Sequence, residues 1–217
     1  KSPSCGLKGI KVFHKESKMA LMASKGVFAR IVSEEYDLIA LEEDGRLNDF
    51  NLREHFLIKL FSIARFRAID KNIKSLQSYH AKHKILFYCY NQSLLRKMGT
   101  IASNPEHKHI DEVFKEYMQI LSLILSNPPT QKKRINAFMH MLGYFKEYIT
   151  SKQKQHFLKA LDDYRNRRIP AHSALAIIEN WLHAYEIPYL EEQYVFEPFP
   201  KNILYVILFF LLKFVTK

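Results

Sequence analysis

Residues 110–124 read IDEVFKEYMQILSLI, the clearest amphipathic stripe in the chain. Ile110, Val113, Phe114, Tyr117, Leu121 and Ile124 recur at three-to-four spacing, which puts them on one face of a helix. Asn127-Pro128-Pro129 stops that helix, since proline cannot continue the hydrogen-bond ladder. Downstream, Thr130 is placed to cap a helix running through Ile149, with Ile135, Phe138, Met139, Leu142 and Phe145 inward. Ser151 is expected to cap the next, whose apolar set is Phe157, Leu158, Leu161 and Tyr164. Ile169-Pro170 ends it, and Leu175, Ile178, Leu182 and Tyr185 stripe one more helix. An aromatic, proline-rich crossing segment follows, from Pro188-Tyr189 to Phe199-Pro200. Upstream, Ile73 to Tyr90 carries Leu76, Tyr79, His83, Leu86, Phe87 and Tyr90 at helical spacing. These patterns define a mainly α fold: a helical bundle from about residue 71 onward.

The first 70 residues have another character. Gly9 to Phe13 alternates like a short strand, Gly26 to Val32 opens a short helix, and Leu38 to Leu41 is apolar. An acidic turn, Glu42-Glu43-Asp44-Gly45-Arg46-Leu47-Asn48-Asp49, leads to a helix from Leu52 with Leu52, Phe56, Leu60 and Ile63 one turn apart. Two or three short elements cannot close a sheet without partners, so this part is expected to be an incomplete α/β or α+β domain fragment. The expected organisation is 1–70 for that fragment, 71–201 for the bundle and 202–217 for an apolar tail. The tail, from Ile203 to Val215, reads ILYVILFFLLKFV, shorter than the roughly 18–20 residues of a membrane span. It is expected to be a buried terminal element, with no membrane partner. The opening residues lack the apolar core of a secretory signal and an initiator Met. The chain is therefore expected to be cytoplasmic and truncated at its amino terminus.

Charge narrows the function. Thirty-three Lys and Arg against 22 Asp and Glu give a formal +11, with a pI near 9.5. A surplus of this size favours encounters with polyanions and points toward nucleic acid. Apolar residues at 47% and charged residues at 25% are an ordinary globular mixture and exclude wholesale disorder. Two cysteines, Cys5 and Cys89, exclude a disulfide scaffold.

The strongest basic clusters are Lys132-Lys133-Arg134 at the start of one helix and Arg165, Arg167 and Arg168 at the end of the next. Cations in a last turn complement the helix dipole, whereas in a first turn they oppose it. Lys132, Lys133 and Arg134 therefore point to an external anion such as a phosphate backbone. Lys82 and Lys84 form a further basic strip. His80 and His83 share a helix face, but no carboxylate or cysteine stands at companion spacing to complete a metal shell. Tyr144, Tyr148, Tyr164 and Trp181 can act as core or as stacking surfaces. Ser2-Pro3-Ser4-Cys5-Gly6 places one thiol among small residues, where a cluster or substrate can approach closely, but an iron–sulfur cluster needs three or four ligands.

Several motifs occur together: His80-x-x-His83-Lys84, Asn136-x-x-x-His140-x-x-Gly143-Tyr144-Phe145-Lys146, Tyr164-Arg165 with Ile169-Pro170, Tyr189-x-x-x-Gln193-Tyr194 and Pro198-Phe199-Pro200. In this combination residues 71–201 resemble the YbgA-type domain, a bacterial helical family of unknown function. Residues 1–70 resemble the carboxyl end of a thiouracil-desulfidase-like domain. The residues that carry this are Ser2-Pro3-Ser4-Cys5-Gly6, Gly26-Val27-Phe28-Ala29, the acidic turn, and Leu52-Arg53-Glu54-x-Phe56. That family holds a 4Fe-4S cluster on three cysteines, leaving one iron open to take sulfur from a thiolated base. The resemblance implies that Cys5 is the third ligand, and that Ser2 or Ser4 takes the place of a functional serine. The pairing of domains resembles tRNA 4-thiouridine desulfidases and implies tRNA as partner. The first two cluster cysteines are missing here and the tail is apolar, so the activity is expected of a complete parent and not of this chain alone. The alternative is a non-catalytic nucleic-acid-binding helical domain.

Overall fold

The computed structural model describes residues 6–7, 10–13, 20–36 and 38–203, and the fold is mainly α. The described residues divide into two compact units, one within residues 1–67 and one within residues 68–206. Ser2, Ser4, Cys5 and the apolar run after Ile203 lie outside the described residues.

In the first unit, strands β1 (Ile10–Phe13) and β2 (Ala20–Ser24) pair antiparallel, with Ile10 opposite Ser24 and Phe13 opposite Ala20. Helix α1 (Val27–Glu35) follows, then a single 3-10 turn over Asp44–Asn48 and the helix α2 (Phe50–Ala68). The acidic turn is held by its own neighbours. Glu42 pairs with Arg46 at 2.7 Å, Glu43 accepts from the Leu7 amide at 2.8 Å, and Asp49 caps α2 through the Leu52 amide at 2.9 Å. The buried Arg53 reaches back to donate to the Leu47 carbonyl at 2.7 Å. These bonds satisfy backbone groups that a tight turn would otherwise leave open. The inward face of α2 is rotated from the sequence expectation. Leu57, Ile58, Ile63 and Phe66 are buried, whereas Leu60 is exposed and Leu52 and Phe56 are half-buried. The presence of Arg53, His55 and Ser62 on the buried face blurs the apolar periodicity that sequence reading depends on.

The second unit is an array of helices. Helix α3 (Ile73–Tyr90) runs into α4 (Gln92–Ser103), then come α5 (Ile110–Ile124), α6 (Gln131–Leu142), α7 (Ser151–Arg165), α8 (Ala171–Ala184) and the short α9 (Pro188–Glu191). All six apolar-face residues expected of α3 are buried. Asn91 is the hinge between α3 and α4: it ends one helix, and its side chain accepts from the Ser93 and Leu94 amides to start the next. Helices α3 and α4 pack so closely that a Cβ on Gly99 would stand 3.3 Å from His80 Nε2.

Three expectations need correction. The helix begun at Thr130 stops at Leu142 and tightens into a 3-10 turn, Gly143–Phe145, with Phe145 still buried and Met139 exposed. The cap of α7 is Thr150 rather than Ser151; Thr150 and Gln153 form a reciprocal capping box. Leu158 lies outward, 37% exposed, while Phe157 and Leu161 fill the core.

The crossing segment is clipped to α3. The Gln193 carboxamide is buried, takes the Ile85 amide on Oε1 at 3.0 Å, and donates from Nε2 to the Ala81 carbonyl at 2.8 Å. Ile85 and Ala81 are the pair that a regular helix joins to each other, so the side chain bridges one rung of the ladder. The next residue repeats the contact, with the Tyr194 amide donating to the Lys82 carbonyl at 2.9 Å.

Candidate nucleic-acid interface

Two helix amino ends, of α4 and α6, open beside the last turn of α3 and border an open groove of about 660 Å³. Tyr88 of α3, Asn91 and Gln92 at the start of α4, and Lys132, Lys133, Asn136 and Met139 of α6 are among its lining residues. Neither helix has an acid in its first turn, whereas α5 carries Asp111 and Glu112 there. Lys132 and Lys133 are exposed, and among the described residues no carboxylate comes within ion-pair distance of either. The α6 dipole opposes two cations in its first turn, and among the described residues no acidic side chain pairs with them. An anion in the groove would be met by both lysines and by the open amides of α6.

The other basic candidates separate into distinct roles. Arg134 is half-buried and engaged within the fold. Arg165 pairs with Asp162 at 3.3 Å and Arg168 with Asp163 at 3.0 Å. Arg167 sits at φ 58° as the left-handed residue that closes α7. Its amide donates to the Tyr164 carbonyl and that of Arg168 to the Asp163 carbonyl, both at 2.9 Å, which is a Schellman ending. Gln131 Nε2 donates to the Tyr164 carbonyl at 2.5 Å, so the carboxyl end of α7 is tied to the first residue of α6. The fold thereby brings the two basic clusters together. Lys84 is exposed one turn before Tyr88 on α3. Lys82 is half-buried and lies 3.8 Å from Glu192, on the side that receives the crossing segment.

An aromatic ladder runs away from the groove. Asn136 Nδ2 donates to the Tyr88 hydroxyl at 3.1 Å. Tyr88 stacks on His140, with centroids 5.3 Å apart and planes at 23°. His140 meets Tyr144 edge-on at 5.6 Å, and Tyr144 stacks on Tyr189 at 5.4 Å. Burial, with the neighbouring Tyr144 adding to it, pushes the Tyr189 phenol up to about 12. The spacing Asn136, His140, Tyr144 is one helical turn repeated, so three motif residues face the same way. Tyr88, the partner that makes them a ladder, carries no local signal that sequence reading could use.

The histidine pair is structural. His80 Nδ1 lies 3.1 Å from the Tyr117 hydroxyl, and burial, then Lys84, lowers its pKa to about 4. His83 is fully buried, its Nδ1 2.8 Å from the Tyr79 carbonyl and its ring against Phe87 and Tyr194. Among the described residues no group of three or more His, Cys, Asp or Glu is placed to hold a metal ion. Cys89 is a buried core residue of α3. With two cysteines in the chain, one of them packed in the core, the residues present do not make the ligand set of a 4Fe-4S cluster. No helix among the described residues is long and apolar enough to cross a membrane.

Residues 68–206 thus define a helical unit with a basic, aromatic-edged groove. The family described as "Protein of unknown function (DUF1722)" matches residues 84–200, more than half of the chain, and the protein belongs to that family. It is also similar to the uncharacterized protein YbgA of Escherichia coli (strain K12), at 27% identity over 151 residues that cover 68% of this chain and 89% of that protein. No solved structure matches.

Proposed function

We propose that this protein binds RNA, with tRNA as its substrate class, through the groove formed by α3, α4 and α6. The observation that carries the reading is the placement of Lys132 and Lys133. Two cations stand where their own helix disfavours them, at the edge of a groove that also presents an aromatic ring. Phosphate contacts of this kind position a polyanion without reading its sequence. The +11 charge supplies the long-range attraction. The finer reading is that the bound tRNA is thiolated and is presented to sulfur-removing chemistry of the type that residues 1–70 resemble. No step of that chemistry is assigned to the cysteines of this chain.

The test is a titration of fluorescently labelled bulk tRNA with the full chain at a series of potassium chloride concentrations, followed by anisotropy. Each lost phosphate contact lowers the slope of log K against log salt by about 0.7–0.9. The double substitution Lys132→Ala with Lys133→Ala should therefore flatten the slope by about 1.5 and weaken binding. Arg165→Ala with Arg168→Ala removes two cations already paired with Asp162 and Asp163 and should do much less. Binding that ignores salt, or that survives the lysine substitutions intact, refutes the proposal.

A further inference from the structure

The groove has a shape and lining that a phosphate-binding strip alone does not need. Its volume of about 660 Å³, though open to solvent, is comparable with the roughly 300–1,000 Å³ of small-molecule clefts. Its lining brings together three kinds of group. Lys132 and Lys133 supply charge, Tyr88 supplies an aromatic surface, and the carboxamides of Asn136 and Gln92 supply donors and acceptors. Met139, 43% exposed in spite of its apolar side chain, adds a soft wall.

Tyr88 is fixed before any ligand arrives. Its hydroxyl accepts from Asn136 and its ring is backed by His140, so little rotamer entropy remains to be lost on binding. Asn136 spends Nδ2 on that bond, and its carbonyl oxygen is an acceptor of the kind that reads a base edge. Asn91 cannot serve in the same way with its oxygen, which is committed to capping α4.

Resting on the RNA-binding reading, we infer that the groove takes one unpaired nucleotide of a single-stranded RNA segment, its base stacked against Tyr88 and its phosphate held by Lys132 and Lys133. A duplex keeps the faces of its bases covered by their neighbours, so it can offer the lysines phosphates but cannot offer Tyr88 a face. An unpaired base satisfies both at once.

The full chain is titrated with four probes: a short fluorescein-labelled oligouridylate, an RNA duplex of equal length, an abasic strand with the same number of phosphates, and uridine monophosphate as a competitor. The oligouridylate should bind about tenfold or more tighter than the duplex and the abasic strand, as loss of one stacked base implies. Tyr88→Ala should remove that advantage and leave the abasic affinity where it was. Tyr88→Trp should retain the preference, and its indole emission should be quenched by the oligouridylate and not by the abasic strand. The inference is overturned if the abasic strand binds as well as the oligouridylate, or if the duplex does. It is also overturned if Tyr88→Trp shows no quenching, or if uridine monophosphate alone binds as tightly as the strand. Failure of every nucleic acid to bind would instead sink the RNA-binding reading itself.

Discussion

Replacing Gln193 with Ala tests whether the crossing segment is held to α3 by the carboxamide or merely lies against it. Three hydrogen bonds are lost, to the Ile85 amide at 3.0 Å and to the Ala81 and Tyr189 carbonyls at 2.8 and 3.2 Å. At about 1 kcal/mol net each, the loss is roughly 3 kcal/mol. The Ile85 amide and Ala81 carbonyl can then close on each other as an ordinary helical rung, which returns about 1 kcal/mol. The expected destabilisation is about 2 kcal/mol, or about 4–8 °C in Tm for a unit of this size. Trp181 is the chain's single tryptophan, is buried, and belongs to the same unit. Its fluorescence during urea or thermal unfolding follows that unit without a competing signal. Gln193→Glu should be worse than Gln193→Ala at neutral pH, because the new carboxylate would face two carbonyl oxygens in a buried site. Burial would raise the pKa of that carboxyl, so the variant should recover as pH falls toward 4 and the group takes a proton. A Tm for Gln193→Ala within 1 °C of the parent, or a Glu variant as stable as the Ala variant, would refute the reasoning.

Three further outcomes follow from the same geometry. His80 has a folded pKa near 4 against 6.5 for the free side chain, so the unfolded chain takes up a proton that the folded one refuses. Its contribution is complete above about pH 6.5 and is lost as pH falls toward 4, up to about 3 kcal/mol; His80→Gln should flatten the Tm profile across that window. Arg167 carries a side chain at φ 58°, and Arg167→Gly should raise stability by about 1 kcal/mol in urea denaturation, a loss arguing against strain there. Thr150→Ala breaks the capping box of α7 and should cost about 1 kcal/mol by the same assay.

The helices of the second unit were legible because their cores follow one period. Leu76, Tyr79, His83, Leu86, Phe87 and Tyr90 repeat cleanly, and α3 occupies that span from Ile73 to Tyr90. Helix α4 has no boundary that the sequence displays, because Asn91 both ends α3 and caps α4 with no loop between them. In α2 the buried Arg53 and His55 disguise the inward face, since polar side chains satisfied by the fold look like surface residues in sequence. Lys132 and Lys133 could be singled out from the dipole argument alone. The groove could not, because Tyr88 and Asn136 lie 48 positions apart and only the packing of α3 on α6 makes them neighbours.

The clip at Gln193 has a consequence for how the protein is made. Its bond to the Ile85 amide spans 108 positions of sequence, so the crossing segment can dock on α3 only after nearly the whole domain has left the ribosome. Contacts of such long separation form late and slow folding. A nascent chain stalled before residue 193 should therefore keep the Ala81–Ile85 rung closed in the ordinary way, leave that face of α3 uncovered, and depend on chaperones until the last segment arrives.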